Sequence, residues 1–206
     1  DPVLRISDLE LLTKTGGKSG VWVNPDAEIP DWVNDRLPST TPLVDRKIAV
    51  IVMSDRASEG TYDDESGQYL VNALTDQGAE VCAYTVIPDD FALIQTTITE
   101  ISETHDPHVI LCTGGTGPGP RDVTPLAIAE HLNPELPGLG EWLRSESAVY
   151  TKTAWLSRMG GGLLGRALVI TLPGSLQAVK ECFGIFIEGL PKAIMMIEKQ
   201  GRKGRL

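Results

Sequence analysis

From Arg46 onward the chain alternates short apolar runs with amphipathic stretches, the pattern of strands and helices taken in turn. Lys47-Ile48-Ala49-Val50-Ile51-Val52-Met53 is apolar and rich in β-branched residues, as in a strand covered on both faces, and it breaks at the polar Ser54-Asp55-Arg56. Leu70, Val71 and Leu74 share a face of a helix predicted over residues 68–77, with Gly78 as its stop. Residues 81–87 read as a strand ending at Pro88, and Leu93, Ile94, Ile98 and Ile101 recur at spacings of three and four in a helix starting near Asp90. Val109 to Thr113 is the expected central strand. Beyond it Thr124 is expected to cap a helix with Pro125 at its first position, and a second helix should cover residues 139–146. Gly160-Gly161-Gly162 reads as a mobile turn, residues 167–172 as a further buried strand, and residues 176–187 and 190–199 as helices. Four strands separated by helices predict a three-layer α/β/α architecture with a mostly parallel sheet.

The strand-like run Val109-Ile110-Leu111-Cys112-Thr113 opens directly into Gly114-Gly115-Thr116-Gly117-Pro118-Gly119-Pro120-Arg121-Asp122. Glycines at this density let backbone N–H groups crowd a tight concave turn, which is a cradle for an anion. Asp122 is placed to hold a hard cation such as magnesium, and Arg121 to neutralise charge or pair locally. The loop is neither a P-loop, since no lysine follows the glycines, nor the G-x-G-x-x-G dinucleotide turn. Taken alone it also fits a ligand-free βα turn.

In a parallel α/β sheet, ligands sit beyond the carboxyl ends of the strands, where strand order reverses. Ser54-Asp55-Arg56, Pro88-Asp89-Asp90, the glycine loop and Pro173-Gly174-Ser175 all leave such ends, so they are expected to converge. Each has a plainer role open to it: Asp89, Asp90 and Ser175 as helix caps, Asp55 and Arg56 as a solvated pair.

Composition narrows the setting. The 206 residues are 41% hydrophobic and 22% charged, with no apolar run near the length of a membrane span. A formal net charge of −10 argues against non-specific binding to nucleic acid, so any anionic ligand depends on the local field of the loop. Cys82, Cys112 and Cys182 are odd in number and lie in apolar stretches, as reduced core thiols of a cytoplasmic protein would. His105, His108 and His131 have no metal-ligand spacing, and the first two read as surface-loop residues.

Six strings stand in order along the chain: SDRASEGTYDDESG from Ser54, VIPDD from Val86, TGGTGPGPRDVTP from Thr113, PGLGEWLR from Pro137, LSR from Leu156 and LPGS from Leu172. Together they resemble the molybdopterin adenylyltransferases of the MogA type, the domain also found in gephyrin, and the resemblance runs over residues 46–199. It implies a MogA/MoaB-like molybdopterin-binding fold and a role in molybdenum cofactor biosynthesis. The implied reaction is Mg²⁺-dependent transfer of AMP from ATP to the terminal phosphate of molybdopterin, with pyrophosphate released. By resemblance Asp89 and Asp122 are the catalytic carboxylates and the magnesium ligands. Thr113, Gly114, Gly115, Thr116, Gly117 and Ser175 would hold the pterin phosphate and adenylate, with Ser54, Asp55 and Arg56 nearby. Relatives mostly continue the last loop with proline, where this chain has Leu176, which leaves the role of Ser175 open. The resemblance further implies a homotrimer and a downstream molybdenum insertase as partner, with no nucleic acid or membrane involved. A molybdopterin-binding or insertase-related module without adenylylation, and a scaffold role, are the alternative readings.

Residues 1–24 lie outside that domain. ISDLELLTKTGGKSG, from Ile6, is by itself an edge hairpin or tether, but it resembles the end of a MoaC-type cyclic pyranopterin monophosphate synthase, in which a lysine matching Lys14 lines the active site. With the rest of such a domain absent, the expectation is a C-terminal piece of a bifunctional MoaC/MogA fusion. Residues 25–45 carry prolines and acidic residues without periodicity and read as an extended linker, with Trp22 and Trp32 available to pack on the domain.

Overall fold

The computed structural model describes residues 43–203; the MoaC-like string and nearly all of the expected linker lie outside the described residues. Five strands form one sheet in the order β2-β1-β3-β5-β4. These are β1 (Lys47–Met53), β2 (Glu80–Ile87), β3 (Val109–Thr113), β4 (Gly160–Leu164) and β5 (Ala167–Leu172). β1 pairs in parallel with β2 and β3, and β3 in parallel with β5. β4 runs antiparallel to β5 at the edge.

The helices are α1 (Asp55–Ser58), α2 (Glu65–Asp76), α3 (Phe91–His105), α4 (Thr124–Ala129), α5 (Pro137–Ser147), α6 (Leu176–Phe186) and α7 (Leu190–Lys203), with a 3₁₀ turn at Ala154–Leu156. They cover both faces of the sheet, which explains why the strand runs show no polar alternation. Ile48, Val50 and Val52 of β1 pack with Leu70 and Leu74 of α2, Leu143 of α5 and Val179 and Phe183 of α6. The alternate residues Ala49, Ile51 and Met53 pack with Ile94, Ile98 and Ile101 of α3 and Ile128 of α4. All five residues of β3 are buried, as a central strand requires. Leu43, counted with the linker by its sequence, is 1% exposed and belongs to the first of these cores, its N–H donating to the Gln77 carbonyl at 2.8 Å.

Three local expectations are corrected. Gly160-Gly161-Gly162 is the start of an edge strand and not a mobile turn, which raises the strand count from four to five. Glycine is required there by close packing: a Cβ on Gly161 would lie 2.0 Å from the Val169 carbonyl oxygen, and one on Gly162 2.6 Å from that of Pro134. Thr124 is the first residue of α4 and not its cap; Val123 precedes the helix without a side-chain cap. The helix expected over residues 68–77 begins at Glu65, because the Asp64 side chain accepts from the Gly67 N–H at 2.9 Å and caps it three residues earlier.

No helix among the described residues is long and apolar enough to cross a membrane. Cys82, Cys112 and Cys182 are unpaired. Burial pushes the Cys112 thiol up to about 12 and the Cys82 and Cys182 thiols upward as well, so none is poised as a nucleophile. His105 ends α3, and His108 accepts from the Lys47 N–H at 3.0 Å through Nδ1, both away from the carboxyl ends of the strands.

Candidate active site

The chain leaves β1 toward β2 on one side and β3 on the other, so strand order reverses between β1 and β3. Beyond their carboxyl ends lies an open cleft of about 460 Å³. Its walls include Ser54, Asp55, Arg56, Asp89, Thr113, Gly114, Gly115 and Ser175, so all four loops expected to converge contribute to it. Thr116 and Gly117 lie on the far side of the turn, against Ser157, Arg158 and Asp122. Tyr62, Asp64 and Ser66 also line the cleft, although they carried no assignment in the sequence beyond lying within the first string.

Several of these side chains hold the loops together. Ser54 caps α1 by accepting from the Ala57 N–H at 3.2 Å, Asp90 caps α3 by accepting from Leu93, and Ser175 caps α6 by accepting from Ala178 at 3.4 Å. The Thr113 hydroxyl donates to the Pro173 carbonyl at 2.7 Å and the Ser66 hydroxyl to the Gly174 carbonyl at 2.9 Å. These bonds tie the end of β3 and the start of α2 to the Pro173-Gly174-Ser175 turn. Arg56 is exposed and stacks over the Tyr62 ring at 4.8 Å.

Two glycines are dictated by this geometry. Gly114 has φ +106, and a Cβ there would sit 2.0 Å from the Met53 carbonyl oxygen. Gly115 has φ +59, and its Cβ would lie 2.4 Å from Thr124 Oγ1 and 2.7 Å from Asp89 Oδ1. The loop therefore passes against β1 and the carboxylate of Asp89 as bare backbone.

Asp55 is the hub of the charged groups. Its carboxylate accepts from the Arg121 guanidinium at 2.6 and 2.7 Å and from the Asp89 N–H at 3.0 Å, while its own N–H donates to Asp89 Oδ2 at 3.3 Å. Hydrogen bonding to Arg121 holds the Asp55 carboxyl below the ordinary carboxylate range. Asp89 is moved the other way: burial pushes its carboxyl up, with the negative charges of Asp55 and Asp122 adding to the effect against the pull of the Asp55 N–H and Arg121. Asp122, expected beside Asp89, is not among the residues that line the cleft; it folds back over the glycine loop against Gly117 and Gly119, its Oδ2 accepting from the Gly119 N–H at 2.8 Å.

Asp89 Oδ1 and Thr124 Oγ1 are buried without a hydrogen-bond partner and stand on the same side of Gly115. A buried carboxylate oxygen left unpaired beside a second carboxylate fits a cation. Among the described residues no group of three or more His, Cys, Asp or Glu side chains is placed to hold a metal ion.

Residues 49–192 match the family described as a probable molybdopterin binding domain. A molybdenum cofactor biosynthesis bifunctional protein from Synechococcus elongatus is 40% identical over 198 residues, covering 96% of this chain; the chain spans 60% of that protein's length. The molybdopterin adenylyltransferase of Escherichia coli K12 is 39% identical over 139 residues, covering 66% of this chain and 70% of that protein. That of Helicobacter pylori J99 is 34% identical over 158 residues, covering 73% and 86%. Among solved structures, the molybdopterin biosynthesis enzyme MoaB of Thermus thermophilus superposes with a TM-score of 0.69 at 32% identity, covering 74% of this chain and 96% of that one. A MogA structure does so with a TM-score of 0.70 at 30% identity, covering 74% and 99%. A family match that runs from β1 into α7, on a sheet shared with MoaB and MogA, makes this chain a member of the molybdopterin-binding domain family with the MogA/MoaB-like fold.

Proposed function

We propose that this domain transfers AMP from ATP to the terminal phosphate of molybdopterin in molybdenum cofactor biosynthesis. The observation that carries the reading is the unpaired, buried Asp89 Oδ1 against the bare backbone of Gly115, at the switch point of a sheet whose relatives are named molybdopterin adenylyltransferases. In the reaction an oxygen of the pterin phosphate forms a bond to the α-phosphorus of ATP, the bond to the β-phosphate oxygen breaks, and pyrophosphate leaves. Such a displacement demands in-line positioning and neutralisation of crowded negative charge more than a strong base. The Gly115 N–H and the N-terminus of α6 at Ser175 would meet one phosphate group with fixed partial positive charge, the Gly114 and Gly119 N–H groups being taken by the Leu172 carbonyl and Asp122 Oδ2. Asp89 and Asp122 are the residues that would hold Mg²⁺, which when bound supplies charge neutralisation between the phosphates. Asp55 keeps Arg121 and Asp89 at the mouth of the cleft.

The same reading extends to the assembly. Leu126, Trp142, Val149, Tyr150 and Trp155 are exposed along residues 126–156, with Val149 82% and Trp155 71% accessible. An apolar surface of this kind supports a homo-oligomer, here a trimer. The alignment with the Synechococcus bifunctional protein over 96% of this chain supports residues 1–24, with Lys14, as the end of a MoaC-type domain in a fusion. Unpaired cysteines fit a reducing compartment such as the cytoplasm; in this reading the product passes to a molybdenum insertase.

The test is incubation of the purified chain with molybdopterin, ATP and Mg²⁺, following pyrophosphate release and adenylylated pterin together. Both products are expected in equal amounts. Pterin binding with no pyrophosphate would leave a binding module and overturn the enzyme assignment.

A further inference from the structure

We infer that Arg158 is a positioning residue for the glycine loop, acting from the side opposite the cleft. A loop that turns its N–H groups toward an anion must turn carbonyl oxygens the other way, and those oxygens need partners if the loop is to hold its shape. Arg158 supplies three. Its backbone N–H donates to the Thr116 carbonyl at 2.8 Å, its Nε to the Gly117 carbonyl at 3.0 Å, and its Nη2 to the Asp122 carbonyl. One planar guanidinium therefore joins the middle of the loop to the residue whose carboxylate closes it.

The neighbouring residues complete the brace. Thr116 Oγ1 shares a hydrogen bond with Ser157 Oγ at 3.2 Å, and Ser157 Oγ accepts from the Met159 N–H at 3.3 Å. Arg144 of α5 donates to the Met159 carbonyl at 2.6 Å, so the segment that carries Arg158 is itself tied to a helix. Arg158 is half-buried, and its guanidinium donates to backbone carbonyls. The guanidinium thus fixes the path of the loop by holding the Gly117 and Asp122 carbonyls.

This role rests on the adenylyl-transfer reading for its activity measurement but not for its structural one. Arg158→Gln removes charge and fork together, whereas Arg158→Lys keeps the charge and loses the two-pronged geometry. Hydrogen exchange at the amides of Gly115, Thr116, Gly117 and Gly119, with those of β1 and β5 as internal reference, is measured alongside steady-state transfer. Arg158→Gln is expected to speed loop exchange by about tenfold or more, a few reference amides staying within about twofold, and to lower kcat/KM by about a hundredfold, chiefly through KM for molybdopterin. Arg158→Lys is expected to fall between the two proteins, about tenfold down. Transfer within about twofold of the parent in Arg158→Gln overturns the inference, and so does faster exchange spread evenly over β1 and β5, which marks general loss of stability. If the parent chain transfers no AMP, the proposed function fails, and loop exchange alone still decides whether Arg158 holds the loop.

Discussion

Asp55 and Asp89 bind each other reciprocally: the N–H of Asp55 donates to Asp89 Oδ2 at 3.3 Å, and the N–H of Asp89 donates to Asp55 Oδ1 at 3.0 Å. The loops that follow β1 and β2 are joined by this exchange. Arg121, from the glycine loop, closes the group by gripping the same Asp55 carboxylate at 2.6 Å. Asp55 has little capacity left for a substrate, and a carboxylate would in any case repel a phosphate. Asp55→Asn weakens the hold on Arg121 while retaining one side-chain acceptor, so transfer should fall by about tenfold with the melting temperature little changed, as for an exposed pair. Steady-state kinetics beside a melting curve checks it; unchanged kinetics would show that Arg121 does not depend on this grip.

Asp122 lies over the glycine loop and should act with Asp89 as a cation-holding pair. Asp122→Asn is expected to keep the fold and most pterin binding while transfer drops by at least about a hundredfold, as on removal of a key electrostatic element. Asp89→Ala should behave alike. Asp90→Ala instead removes the α3 cap, costing about 0.5–2 kcal/mol with transfer retained. Inactivity of the Asp90 variant alone would exchange the roles of the two neighbours.

Because burial raises the Asp89 carboxyl, the folded protein holds that proton more tightly than the unfolded chain does. The stabilising contribution is complete below the ordinary value of 3.8 and is lost as pH rises through the raised native value. At neutral pH the ionised Asp89 is thus a burden on the fold when no cation is present. Asp89→Asn should melt higher than the parent near pH 7 without Mg²⁺, and this advantage should vanish below about pH 3.8. A constant difference in melting temperature from pH 7 down into that range would contradict the assignment.

Gly115 has no room for a side chain between Thr124 Oγ1 and Asp89 Oδ1, and φ +59 strains any other residue. Gly115→Val should cost about 1–3 kcal/mol of stability from strain alone. Titration with molybdopterin should in addition show weakening beyond about tenfold at a temperature where the variant stays folded, because the Cβ displaces the cleft carboxylate. An unchanged dissociation constant would make the loop purely structural.

The cleft is built from residues at 52 and beyond, yet Leu43 is buried in the core. Deletion of residues 1–42 should leave adenylyl transfer within about twofold, whereas extending the deletion through residue 44 removes Leu43 and should cost about 2–5 kcal/mol, the scale of a core leucine lost. Equal melting temperatures for the two truncations would show that Leu43 contributes nothing to the fold. Loss of transfer, or of the proposed oligomer, in the shorter deletion would place the N-terminal segment in the functional assembly.

The order of the elements and the loops that meet at the cleft could be read from the chain, because unbroken apolar runs mark strands buried on both faces and the polar breaks after them mark their carboxyl ends. β1, β3 and β5 lie where their runs predict, and Ser54, Asp55, Asp89, Thr113, Gly114 and Ser175 all line one cleft. What the local pattern left undecided depends on contacts between residues far apart. Three glycines look like a turn until β5 and the backbone of Pro134 press so closely on Gly161 and Gly162 that only glycine fits an edge strand. Arg158 ends the string LSR with no role attached to it by the sequence, and only the fold brings it to the carbonyls of Gly117 and Asp122, over forty and over thirty residues away along the chain. Leu43 likewise looks like linker because its partners lie across the sheet and α2. Periodicity records which face of an element is buried; it holds no record of which distant backbone arrives on that face, and that is settled by packing and hydrogen-bond satisfaction in the folded chain.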